Sequence, residues 1–151
     1  MNKKKSKCTI AFSAVITKNF DSSIGTNHVF VYDHVESNLG GAYNSFSGTF
    51  IAPRPGTYAF LWTIFAEGRL DINGQNGEIQ TELAVNGKRR GYAFTDTEVH
   101  YDDDQATGFV IVQLNQGDVV FVRSIGSTAD VQGTFQHYYH GQWTFSGWKI
   151  A

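Results

Sequence analysis

The stretch Gly56–Gly68, GTYAFLWTIFAEG, alternates its side chains with the two-residue period of a β-strand. Tyr58, Phe60, Trp62 and Ile64 fall on one face. Ala59, Leu61 and Phe65 fall on the other, so both faces are apolar. A strand covered on both sides needs two layers over it, supplied by its own chain or by a neighbouring subunit. The same pattern recurs in GFVIVQL (Gly108–Leu114) and DVVFVRS (Asp118–Ser124), joined by the short turn NQGD (Asn115–Asp118). ELAVNGKRRGYAF predicts a hairpin with Asn86-Gly87 at its tip, where a type I′ turn needs positive φ. AFSAVIT (Ala11–Thr17) and WTFSGWKI (Trp143–Ile150) predict terminal strands. No segment longer than a turn carries helical periodicity. Many short strands with glycine-rich turns predict an all-β, two-sheet jelly-roll sandwich of about ten strands.

Composition narrows the function. A chain of 151 residues fits one domain with a sizeable core. Met1–Lys7 carries four of the 12 basic residues, and residues 1–9 are expected to form a disordered basic tail ahead of a globular domain over 10–151. Without those four lysines, 8 basic residues face 14 acidic ones, a balance that argues against nucleic acid. No apolar run approaches the roughly 20 residues of a membrane helix, and no apolar signal-peptide core stands at the start, so no membrane insertion is expected. Cys8 is the single cysteine and cannot form an intrachain disulfide. No GxSxG elbow, P-loop or dinucleotide glycine pattern is present, and no enzyme activity is expected.

Three clusters carry candidate chemistry. Asp96, Glu98, Asp102, Asp103 and Asp104 crowd five of the 14 acids into nine residues. Either water solvates such a run, or a hard cation such as calcium gathers its oxygens. The aromatic and histidine run HYYHGQW offers His137, Tyr138, Tyr139 and His140 for sugar stacking and hydrogen bonding; those rings and Trp143 serve equally as core or subunit contacts. Zinc at His137 and His140 lacks a third ligand. Lys88, Arg89 and Arg90 suit sialic acid, phosphate or lipopolysaccharide, or simply a solvated strand. DINGQNGEIQTE imitates a calcium-binding helix-loop-helix segment at Asp71, Asn73 and Glu82, but its turn glycine, Gly77, falls one place late and no helices flank it.

Asn38, Tyr43, Phe50, Gly56, Tyr58 and Phe60 recur in the order and spacing of a known pattern, accompanied by AFSA, GTFIAPRPGTY, DQATG, LNQGDVV and FSGW. In these features the chain resembles the globular head domain of complement C1q, in the jelly-roll superfamily shared with tumour necrosis factor. The resemblance covers residues 10–151. Two aromatic departures are Tyr32, where the family usually has Phe, and Trp62, where it has Phe or Tyr. The resemblance implies a secreted homotrimer with an aromatic-rich sheet packed around a threefold axis, which would cover the second face of the Gly56–Gly68 strand. It implies calcium near the apex on Asp96 and Asp104, eight residues apart, with Asp103 and Gln105 as secondary ligands. It implies a soluble, lectin-like recognition protein of innate immunity that binds microbial or host glycans, resembling stand-alone invertebrate heads. The alternative is a cytokine-like or synaptic-type ligand that clusters a protein receptor.

Overall fold

The computed structural model describes residues 9–18, 24–67, 78–96, 103–126 and 142–151, with the side chains of Glu67 and Asp103 excepted. Residues 1–8, nearly all of the expected basic tail, lie outside that set. Ten strands follow one another: β1 (Ala11–Val15), β2 (His34–Leu39), β3 (Tyr43–Asn44), β4 (Thr49–Ile51), β5 (Gly56–Glu67), β6 (Glu78–Val85), β7 (Lys88–Asp96), β8 (Asp103–Leu114), β9 (Val119–Ser124) and β10 (Thr144–Lys149). They form two antiparallel five-stranded sheets. The front sheet has the order β2-β1-β10-β5-β8 and the back sheet β3-β4-β9-β6-β7. From β4 onward the chain crosses between the sheets at every connection except the β6–β7 hairpin, in keeping with the expected jelly roll.

The Gly56–Gly68 stretch builds β5, held between β10 and β8 in the front sheet. Tyr58, Phe60, Trp62 and Ile64 are fully buried between the sheets. Phe12 lies at the centre of the aromatic core, stacked 4.6 Å from Tyr43 and edge-on to Phe145 at 4.9 Å. The opposite face of β5 divides. Phe65 is buried within the chain itself, whereas Leu61 is only half-buried.

Glycines make room for the largest rings. A Cβ on Gly108 would stand 2.1 Å from the Trp62 ring, and one on Gly91 2.7 Å from it. Trp62 therefore spans the sandwich between a glycine of each sheet, and its Nε1 donates to buried Thr81 Oγ1 at 2.9 Å. Gly147 admits Phe60 in the same way. The glycines of DQATG and FSGW are thus packing residues.

Local turns explain other parts of the pattern. Asn38 braces the β2–β3 turn: its Nδ2 donates to Tyr43 O at 2.8 Å, and its Oδ1 accepts from Tyr43 N at 3.2 Å. Asn86 and Gly87 take φ values of 50° and 78°, the left-handed pair expected at the β6–β7 tip. Part of the acid run is strand. Asp103–Thr107 belongs to β8, because β5 continues far enough to pair Glu67 with Asp103 and Ala66 with Asp104.

Candidate functional site

The acidic residues lie where β7 ends and β8 begins. Thr95 Oγ1 donates to Asp104 Oδ2 at 2.6 Å, joining the edges of the two sheets, and Asp104 Oδ1 accepts from Gln105 N at 2.9 Å. Asp96 follows Thr95 on the same strand. Alternation turns Thr95 into the core and leaves Asp96 exposed. The eight-residue spacing thus brings the strand ends together, while Asp104 meets Thr95 and not Asp96. Gln105 is exposed on β8, and the Asp103 side chain lies outside the described residues. Among the described residues, no three His, Cys, Asp or Glu side chains converge as a metal cluster. The donor chemistry of Asp96, Asp104 and Gln105, all oxygen, fits a hard cation in kind.

The Lys88–Arg90 cluster is part of a larger assembly on the outer face of the back sheet. Register sets Glu82 between Tyr92 of β7 and Arg123 of β9. Glu82 is almost completely buried and holds both arginines: Arg89 Nε lies 2.5 Å from Oε2, and Arg123 Nε donates to Oε1 at 2.7 Å. Arg123 also donates to Gly87 O at 3.0 Å. Burial by itself raises the Glu82 pKa, but the hydrogen bonds and charges of the two arginines outweigh it and hold the carboxyl below its usual range. Arg89 lies over the Tyr92 ring, 5.7 Å from its centroid, and Arg123 sits equally far from the Phe121 centroid. The register shift between Leu83 and Ala84 makes Arg90 the extra residue of a β-bulge, and Lys88, Arg89 and Arg90 are all exposed. Sequence reasoning found the three basic residues, met Glu82 only in the rejected calcium-loop reading, and missed Tyr92 and Arg123. A lone carboxylate inside the apolar run ELAV was the available signal.

The front sheet presents a different outer face. One register row runs Leu39, Ala11, Trp148, Ala59, Ile111 across all five strands, and the next sets Leu61 beside Phe109. Leu39 is 53% exposed, Phe109 55%, Ile111 56% and Trp148 39%. His137, Tyr138, Tyr139 and His140 lie outside the described residues. Trp143, at the end of that run, is a core residue whose Nε1 donates to Phe65 O at 3.0 Å.

A family model for the C1q domain matches residues 11–150 of the chain. The chain belongs to the C1q domain family. It is 30% identical over 140 residues to human complement C1q tumor necrosis factor-related protein 2, covering 93% of this chain and 44% of that protein. It is 29% identical over 141 residues to the heavy metal-binding protein HIP of Mytilus edulis, covering 93% of this chain and 60% of that one. The chain therefore spans less than two thirds of these relatives. In fold it is similar to the globular domain of zebrafish complement 1qA (TM-score 0.71, 14% identity, 94% of this chain and 98% of that one). It is also similar to the Eiger TNF of S. frugiperda (TM-score 0.66, 12% identity, 96% and 94%). The C1q domain family is not an enzyme family. No helix among the described residues is long and apolar enough to cross a membrane.

Proposed function

We propose that this C1q domain is a secreted, homotrimeric recognition module of innate immunity that binds microbial or host glycans through several weak sites at once. The observation that supports it best is the exposed apolar outer face of the front sheet, with Leu39, Trp148 and Ile111 in one row and Phe109 in the next. Fully burying such side chains is worth roughly 1.5–3 kcal/mol each, enough to favour self-association at a contiguous patch. Three linked copies raise avidity without any new contact. Light scattering at micromolar concentration tests the assembly, with threefold the chain mass expected and a monodisperse monomer overturning it. A glycan array tests the ligand class. Sugar-competable binding supports recognition of saccharides; binding to protein alone supports the receptor-clustering alternative, which the human relative's kinship by name with tumour necrosis factor favours.

Calcium belongs to the same proposal. Asp104 and Asp96, with Asp103 and Gln105 beside them, would hold it at the β7–β8 end, where its charge would neutralise the acid run. The mussel relative's name records metal binding in a similar chain. A cation held by the folded state alone stabilises it by about 2.7 kcal/mol at a hundredfold excess over its dissociation constant. Melting curves with calcium and with chelator should differ for the wild type and coincide for Asp104→Asn. A wild type indifferent to calcium removes the cation from the proposal.

A further inference from the structure

We infer that the outer face of the back sheet at Arg89 and Tyr92 binds the acidic group and ring of an anionic saccharide, one bearing a carboxylate or sulfate. The inference rests on the glycan-recognition proposal and names the site and ligand class for it. Four of the seven Lys and Arg among the described residues gather here: Lys88, Arg89, Arg90 and Arg123. Among the described residues, Glu82 pairs with Arg89 and Arg123, and Asp118 feels the charge of Arg90. The patch is therefore net positive on a chain whose formal charge is −2.

The two arginines that hold Glu82 have different duties. Arg123 spends Nε and one terminal nitrogen on Glu82 and Gly87. Arg89 gives Glu82 only its Nε, and its side chain remains 54% exposed. Its terminal nitrogens take no partner among the described residues. The guanidinium is thus fixed at one corner with its outer edge turned to solvent, ready for a planar, two-oxygen anion. Beside it, Tyr92 and Phe94 expose rings two residues apart on the same strand face. An acidic sugar carries both features in one unit: an anionic group for the guanidinium and an apolar ring face for the aromatic. A peptide added as a further strand suits the place less well. β7 is an edge strand, but the bulge at Arg90 interrupts its ladder and its first three residues are charged.

The test uses the full chain against four probes: a sulfated oligosaccharide, a sialylated oligosaccharide, its neutral counterpart and polyglutamate. At least one acidic oligosaccharide should bind more tightly than the neutral one, and added salt should weaken it. Arg89→Gln should lose tenfold or more, and Tyr92→Ala severalfold with the salt dependence unchanged. Arg89→Lys, which retains the charge and the partner for Glu82, should lose most of the affinity if the planar fork matters; a melting curve of each variant confirms folding. Lys18→Gln, after β1 of the other sheet, should change nothing. Equal loss in Arg89→Gln and Lys18→Gln, or polyglutamate binding as well as the sugars, overturns the site in favour of diffuse charge. Neutral sugars bound independently of Arg89 also overturn it while leaving glycan recognition standing. An absence of saccharide binding removes both, and light scattering still decides the trimer separately.

Discussion

The two outer faces of the sandwich solve the problem of exposure in opposite ways. The front sheet leaves Leu39, Phe109, Ile111 and Trp148 in water and sets serines, threonines and Ala59 among them. The back sheet places a buried carboxylate between two arginines and lays each arginine against an aromatic ring. An apolar face gains by being covered with more apolar surface, and a second copy of the chain offers such surface. A face of paired ions gains little from that, because covering it means desolvating charges. It suits a polar ligand instead. On the proposed function, one fold would separate self-association from recognition by assigning them to different sheets.

The harshest way to break the comparison is to remove the interior on which both faces are mounted. Gly108→Ala would drive a methyl group to 2.1 Å from the Trp62 ring, which is pinned by Thr81 and closed in on the other side by Gly91. Overpacking of this kind costs about 3 kcal/mol or more where neighbours cannot yield. Gly87→Ala is the contrast. It meets open space and carries only the left-handed strain of its φ of 78°, roughly 1–2 kcal/mol. Denaturant unfolding of both variants should show Gly108→Ala as the far weaker protein. Equal midpoints would mean that Trp62 has room to move.

A subtler break targets one face only. Ile111 stands at the end of the row that crosses the front sheet, so Ile111→Glu would place a charge within the proposed subunit contact without entering the core. The light-scattering mass should fall to that of one chain while the circular dichroism of the sheet is retained. Arg89→Gln should leave the mass unchanged. If both variants remain trimeric, a different surface joins the subunits.

The ease with which each face could be read from sequence also differs. Strand alternation in GTYAFLWTIFAEG and the Asn86-Gly87 turn are local signals, and both hold in the fold. The apolar outer row was partly visible because Ala59 and Leu61 lie inside one strand. The Glu82–Arg123 pair spans 41 residues, and only the β6–β9 register makes them neighbours. The acid run illustrates the same limit. Its spacing places Asp96 and Asp104 at adjoining strand ends, but side-chain direction depends on which residue of each strand faces inward, and Thr95 takes that place. The glycines of DQATG and FSGW read as part of a pattern; their purpose requires knowing which ring each one meets.

The ion cluster gives a pH-dependent test of the back sheet. Because the Glu82 pKa is lowered by folding, its contribution is fully present above the ordinary Glu pKa, about 4.3, and is lost as pH falls through the lower folded value. Glu82→Gln should therefore cost about 2 kcal/mol at pH 7, in the range of hydrogen bonds to charged groups. The difference from wild type should shrink as pH drops below 4. A gap that stays constant down to pH 2 would mean that Glu82 acts by shape and not by charge.

The smallest effect concerns neither face but the core between them. Tyr32 is completely buried, and its hydroxyl has no hydrogen-bond partner among the described residues. Its backbone oxygen, in contrast, accepts from Tyr43 Oη at 3.0 Å, an interaction that any residue at this position preserves. The ring packs 5.4 Å from Phe145, a contact that Phe would keep. Tyr32→Phe therefore removes a desolvated hydroxyl and little else, and should raise stability by up to about 1 kcal/mol at pH 7. Burial, with the nearby Tyr43, also pushes the Tyr32 pKa well above that of a free tyrosine. The unfolded chain ionises near pH 10 while the folded chain does not, so Tyr32 stability is intact below about pH 10 and is lost as pH climbs toward the folded value. Tyr43 and Tyr58 are raised as well, so the variant should flatten the alkaline decline without abolishing it. Unfolding curves at pH 7 and pH 11 measure both effects. A variant less stable than wild type at pH 7 would show that the hydroxyl has a partner after all.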